Sequence, residues 1–543
     1  MLAERVAAWT SASPWRYPTI PLLLSGGLVA ASWRPSLARA HAPMVVIVLG
    51  ALRFPALALP ELNPDESEDI ANAATLLADP RYGLSAEGHT HGPLAILANA
   101  LPLGIGLPMG YGASRLLGVV MLVATCLLVR RVLGLWFGGA LARVAVTPLV
   151  LGLAWLSLWD FVAFNGEHTL LVLCAAGGAL AAAATGGGRG HVAGVALAGA
   201  CLGAVGLVKL QGLPIVAGIG ALALGVWRSQ PGGAARAAAF IAAGLMPAIA
   251  FAAYGWWSGQ LAHLWISYVL SAFDQIFWQP PAVFVAWLAS RAAEAPFVPA
   301  LALLAVVQAA WLWWRGHRGA DNRRPLIASA VVLAAAVLAV YRPGSNYDHY
   351  LLLLFPAVAL VAGACLGVVV RREPDRAAKA WMAAYLAATA GVPLVVSVPR
   401  YRTLLMGAAL PPEPRSAAAS EIARYVSPGD RLIVWGWAPR LYLETGAVQG
   451  TRYAHAARAM EAFDPRHAYY LRLFLEDFDR CRPVVFADSG HKYEPRAEFD
   501  PGRFPALAGR LDRDYTRRGE VDGVRIYVSR QRLRERGLEG ARP

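Results

Sequence analysis

The sequence predicts a multi-span α-helical membrane protein of about eleven or twelve transmembrane helices, followed by a C-terminal α/β extracytoplasmic domain. Three observations carry this. Of 543 residues, 57% are hydrophobic and 15% charged, with a mean hydropathy of +0.46, too little polar surface for a soluble globular chain. Apolar runs of membrane-crossing length recur between residues 43 and 398. Charge is then concentrated in the tail, where 44 of the 84 charged side chains lie between Arg400 and Pro543. The division expected from this is a transmembrane domain over 1–399 and a soluble domain over 400–543.

Spans are expected at 43–60, 112–129, 144–163, 168–184, 192–208, 212–227, 237–257, 297–314, 325–341, 350–370 and 380–398, with a further apolar stretch at 17–33 as a twelfth. No cleavable signal peptide stands apart from them, so the first span is expected to act as an uncleaved insertion signal. Alternate connections hold sixteen Arg and Lys side chains, from Arg34 and Arg39 to Arg371, Arg372, Arg376 and Lys379. The opposite connections hold four: Arg81, Lys209, Arg291 and Arg342. The positive-inside rule makes the first set cytoplasmic and puts the tail outside, in the periplasm or cell exterior of a bacterium-like chain. Placement along the chain therefore accounts for the net charge of +14, and a nucleic-acid partner is not indicated.

The tail reads as alternating α and β: a helix over 415–426, a buried strand over 431–437, a helix over 457–479, a strand over 483–487, and a hairpin turning at Asp522-Gly523. Four of five cysteines lie in apolar runs, and Cys481 has no companion in the tail, so no disulfide framework is expected.

The outer connections carry the unusual residues. The first, from 61 to 111, opens with Asp65 and Glu66, followed by Glu68 and Asp69. Four crowded carboxylates beside a low-dielectric phase are expected to repel one another and to raise some pKa values, which would suit a general base. The alternative is a helix over 66–78 with Asp65 as its cap and the acids favoured by its dipole. His89 and His91 follow near Glu87 and could bind a metal, but their spacing is not that of a helical zinc site, which favours plain loop histidines. Asp160 with Asn165 and Glu167, Lys209 with Gln211, and His349 with Tyr350 lie at span ends on the same predicted side, and Arg53 lies near the outer end of the first confident span. Ionisable groups there are costly unless paired or functional. Trp256, Trp257, Trp265, Phe273, Phe277 and Trp278 surround another outer connection, as expected of an interfacial element.

In their order, Arg53, Asp65-Glu66, His91-Gly92-Pro93-Leu94, Asn165 with Glu167, Lys209 with Gln211, His349-Tyr350 before Pro356, and the Trp435 to Tyr442 segment resemble the GT-C superfamily, specifically its bacterial family 39 branch. That branch is similar to protein O-mannosyltransferases and the lipid A aminoarabinose transferase. One departure is that His89-Thr90-His91-Gly92-Pro93 stands where many relatives carry a lysine. The resemblance implies a GT-C-like fold and inverting transfer of a sugar from a polyprenyl-phosphate donor to a hydroxyl of an envelope acceptor, at the outer face of the cytoplasmic membrane. It implies Asp65 as base, Glu66 and Glu167 as positioning groups, Lys209 and Arg53 at the donor phosphate, and His349 and Tyr350 in the donor groove. His89, His91, Asp160, Asn165 and Gln211 complete the expected substrate contacts. A divalent cation could bridge the carboxylates, but the spacing does not require one. The competing classes are a transporter or flippase, which would favour ionisable groups at the membrane midplane, and a non-catalytic envelope scaffold.

Overall fold

The computed structural model describes residues 19–184, 191–274, 276, 278–315, 320–409, 415–461, 464–490 and 499–538. Among these, nine helices are long and apolar enough to cross a membrane: Pro35–Ala58, Tyr111–Phe137, Gly166–Ala183, Leu210–Arg228, Gly233–Trp257, Phe297–Trp314, Arg323–Tyr341, Asp348–Arg372 and Asp375–Ala408. Shorter apolar helices run over Thr19–Trp33, Pro93–Gly104, Gly139–Trp155 and Val192–Val205. Each expected span falls on one of these helices. The span expected to reach 163 instead stops at Trp155, where Leu156 turns extended (ψ 129°) before a short helix over Trp159–Val162.

The chain divides into two compact units. One comprises Met1–Leu59, Arg115–Tyr254 and Gln275–Pro411, and the other Pro60–Ser114, Gly255–Asp274 and Pro412–Pro543. In the first unit the helix Leu354–Arg372 is buried along most of its length. The helix Gly233–Trp257 exposes Ile241, Leu245, Met246 and Ile249, as a lipid-facing surface does. Hydrocarbon offers no hydrophobic drive between helices, so close backbone contact through small residues takes its place. Gly199 and Gly203 supply it: an added Cβ would sit 2.1 Å from the Phe240 carbonyl oxygen at the first and 1.8 Å from that of Gly244 at the second. All five cysteines are free.

In the second unit a five-stranded sheet has the order β2-β1-β3-β5-β4. The strands are β1 (Arg431–Gly436), β2 (Val448–Gln449), β3 (Val485–Gly490), β4 (Tyr515–Val521) and β5 (Val524–Ser529). β1 runs parallel to β2 and β3, while β5 is antiparallel to β3 and β4. Parallel strands with both faces covered read as continuous apolar runs, which explains the Leu432 to Trp435 segment. Leu432 and Val434 enter a core with Ile422, Tyr442 and Ile526, and Ile433 and Trp435 enter another with Tyr470, Phe474 and Phe486. The expected hairpin turns at Asp522 (φ 50°) and Gly523 (φ 73°), the left-handed pair a two-residue turn requires. The helix expected over 457–479 is broken into Ala457–Met460 and His467–Cys481.

The stretch Pro60–Ser114 belongs to this unit. Its helix Pro64–Ala78 lies against β2: the Gln449 backbone N–H donates to Thr75 Oγ1 (3.2 Å) and its side-chain amide to Asn72 Oδ1 (3.1 Å). Arg452 clasps Asp477 through Nε (2.9 Å) and Nη2 (3.0 Å), and gives Nη1 to the Gly83 carbonyl (3.2 Å).

Candidate active site

In the membrane unit, six of the expected residues converge. Asn165 precedes the helix Gly166–Ala183 and ties down the preceding turn by donating its amide to the carbonyls of Asp160 (3.0 Å) and Ala163 (3.2 Å). Two positions on, Glu167 accepts from Lys209 Nζ at 2.7 Å, and both side chains are buried. Lys209 precedes a single 3-10 turn, Leu210–Gly212, and its ammonium stands 5.1 Å from the centre of the Tyr350 ring. His349 donates both its backbone N–H and Nδ1–H to Asp160 Oδ2, each at 2.9 Å. Because an ionised carboxylate only accepts, Nδ1 carries the proton. The other ring nitrogen lies 4.0 Å from Glu167 Oε1. Asp160, His349, Glu167 and Lys209 thus form one alternating array of acids and bases, with Tyr350 beside the lysine. A buried pair of this kind costs several kcal/mol per ion in desolvation, so it is weak support for the fold and better suited to holding charge for a reactant.

Arg53 is buried in the same unit. Its Nε donates to the Leu153 carbonyl (2.9 Å) and Nη1 to that of Phe161 (3.1 Å), so it braces the break after Trp155, while Nη2 has no partner among the described residues. The buried side-chain nitrogen of Gln211 likewise has none there.

In the second unit, Asp65 is not the helix cap. Asn63 is, accepting the Asp65 backbone N–H at 3.0 Å, and Pro64 begins the helix. Asp65 is therefore a partly exposed first-turn carboxylate, and Glu66 beside it is buried. The expected crowding of acids is answered by histidines. His455 reaches Glu68 at 3.2 Å, and His91 Nδ1 donates to Asp69 at 3.0 Å. Burial would raise the Glu68 carboxyl, but His455, His91 and Arg458 outweigh it and hold it below the ordinary 4.5. Burial would lower His455, but Glu68, with Asp65 and Glu461, raises it above 6.5. A long N–H contact from Ala457 to His455 Nδ1 (3.3 Å) opposes the second proton only weakly.

His89 has a left-handed backbone (φ 52°) and stacks on Tyr453 with ring centres 3.7 Å apart. Burial, then Arg458 and the neighbouring histidines, push its pKa well down and keep it neutral. Glu87 accepts from His263 at 2.5 Å and from Ser267. His455, Arg458, His263 and Glu87 were not expected as site residues. Glu68 could have been found from its i+3 relation to Asp65 on the helix, whereas the two histidines lie in segments with no motif. Among the described residues no group of three or more His, Cys, Asp or Glu is arranged to hold a metal ion.

The helical spans followed by a small mixed sheet are the architecture of a multi-span membrane protein with a GT-C-like fold. The crystal structure of ArnT from Cupriavidus metallidurans bound to undecaprenyl phosphate shares it, with a TM-score of 0.57 and 14% identity over 89% of this chain and 97% of that one. The apo Archaeoglobus fulgidus oligosaccharyltransferase aligns over 91% of this chain and 72% of that one, with 11% identity and a TM-score of 0.46. No protein-family model matches the sequence, and no curated sequence is detectably similar.

Proposed function

We propose that the protein transfers a sugar from a polyprenyl-phosphate donor to an acceptor hydroxyl at the outer face of the cytoplasmic membrane, with inversion at the anomeric carbon. The observation that carries this reading is the buried Lys209–Glu167 pair, continued through His349 to Asp160, in a fold shared with a structure that holds undecaprenyl phosphate. A lone lysine buried there needs an anion. Glu167 supplies one in this state, and the donor phosphate would supply a stronger one.

In the reaction the bond from the anomeric carbon to the phosphate oxygen breaks and its electron pair leaves with the phosphate, which Lys209 would stabilise as a compact positive charge. Released from Lys209, Glu167 would face the sugar. The acceptor oxygen forms the new bond from the opposite side, and Asp65 would take its proton while Glu66 orients the hydroxyl. Tyr350 and His349 would line the donor groove, with Asn165 and Asp160 fixing the turn that presents them. Arg53 would hold that turn from behind or reach the phosphate through its remaining nitrogen. His89, His91 and Gln211 would complete the polar lining, and a hexosyl or pentosyl donor and an envelope acceptor fit the reading equally.

The test is sugar transfer from polyprenyl phosphate by Asp65→Asn, which keeps the shape but cannot accept a proton. Turnover should fall by about 10²–10⁴-fold at unchanged folding, as expected for a missing general base. Near-normal turnover would remove Asp65 from catalysis. A transporter or scaffold would show no transfer in the wild type.

A further inference from the structure

The membrane unit holds a half-open cavity of about 770 Å³ that the proposed chemistry does not use. It lies among the helices Tyr111–Phe137, Gly166–Ala183, Leu213–Arg228, Ala320–Tyr341 and Leu354–Arg372, and its walls are aliphatic, including Leu171, Ile215, Ile219 and Leu360. The two ends differ. One reaches Leu353, just past Tyr350. The other is polar and is formed by Ser229, Gln230, Arg324 and Arg371. On the helix Leu354–Arg372 the cavity touches both Pro356 and Arg371, which at the helical rise per residue makes it ~22 Å long.

We propose that this cavity binds an anionic phospholipid from the leaflet at the arginine end, with its phosphate at Arg324 and Arg371 and one acyl chain along the apolar walls. Charge and shape both select that occupant. A narrow hydrocarbon-lined slot with two guanidinium groups at a single mouth matches an amphiphile with one anionic head. Arg371 is already held in place: one nitrogen donates to the Trp136 carbonyl, and the guanidinium lies 4.7 Å from the Phe137 ring centre. Its other donors remain available to a phosphodiester, since a guanidinium has five N–H groups. Arg324 is exposed at the facing helix. A polyprenyl donor with its phosphate at Lys209 would place only hydrocarbon near these arginines, so the anion they recognise belongs to a second lipid. That step rests on the transferase reading, whereas lipid retention is measured without any transfer assay.

The full chain, purified in detergent and supplied with equimolar phosphatidylglycerol and phosphatidylcholine, would be examined by native mass spectrometry. The wild type should retain phosphatidylglycerol roughly tenfold over phosphatidylcholine. Arg324→Gln with Arg371→Gln should bring the ratio to about one, while Ala328→Phe, which fills the slot, should reduce retention of both lipids. Circular dichroism and elution volume establish that each variant is folded. Equal retention by the wild type would overturn the proposal, as would an unchanged preference in the double arginine variant. Displacement of phosphatidylglycerol by polyprenyl phosphate, irrespective of the arginines, would assign the slot to the donor tail and overturn it too.

Discussion

Glu68 and His455 reverse the shifts that burial alone would give them. Glu68 titrates below 4.5 in the folded chain, so its contribution is present above that pH and is lost as pH falls through the lowered folded value. His455 titrates above 6.5, so its contribution is present below that pH and is lost as pH rises through the raised one. His89 acts oppositely to His455: kept neutral, it costs stability as pH falls below 6.5, because only the unfolded chain takes up its proton. His455→Gln should therefore flatten the fall in Tm on the alkaline side, as pH rises above 6.5. Parallel wild-type and variant curves there would place the titrating group elsewhere. Lys209 calls for a different design, because Lys209→Met alone strands a buried carboxylate at a cost of about 3–5 kcal/mol. Lys209→Met with Glu167→Gln removes both charges, and it should fold while showing a raised donor KM or a lowered kcat. Unchanged kinetics in that folded double variant would remove Lys209 from the donor site.

Helix packing in the membrane unit turns on glycine, and the effect can be measured. Gly203→Leu puts a side chain where the Gly244 carbonyl already stands, and backbone cannot give way as a flexible side chain does. Overpacking commonly costs about 1–3 kcal/mol, and here the helices must also separate. The variant should aggregate or melt early in detergent, whereas Gly194→Ala, with nothing within 4 Å of its new Cβ, should match the wild type. The spans themselves were legible because membrane thickness sets a length that composition alone reveals. The break in the expected 457–479 helix had a signal in Pro465, which disfavours helical geometry at Asp464. β2, with two residues, is too short to announce itself. Pairing of Lys209 with Glu167 was half legible, since both stood at span ends and each needed a partner. Pairing of Glu68 with His455 was not, because nothing in a single sequence says which tail residue a loop carboxylate meets.

The orientation drawn from arginine placement applies to the whole chain. Reporter fusions after Arg372 and after Tyr442 should report opposite sides of the membrane, and a cytoplasmic signal from the second would overturn the topology. The second unit also imposes an order of events during synthesis. Its first stretch ends at Ser114 and its last begins at Pro412, and Asn72 waits for Gln449 across 377 positions. At about 5–20 residues per second, the ribosome needs ~20–75 s to deliver that partner. For that interval the Pro64–Ala78 segment must wait without the β2 strand that covers it, and Glu68 can remain hydrated until His455 arrives. The acidic face that ends up buried is thus also what keeps the unfinished loop soluble while it waits.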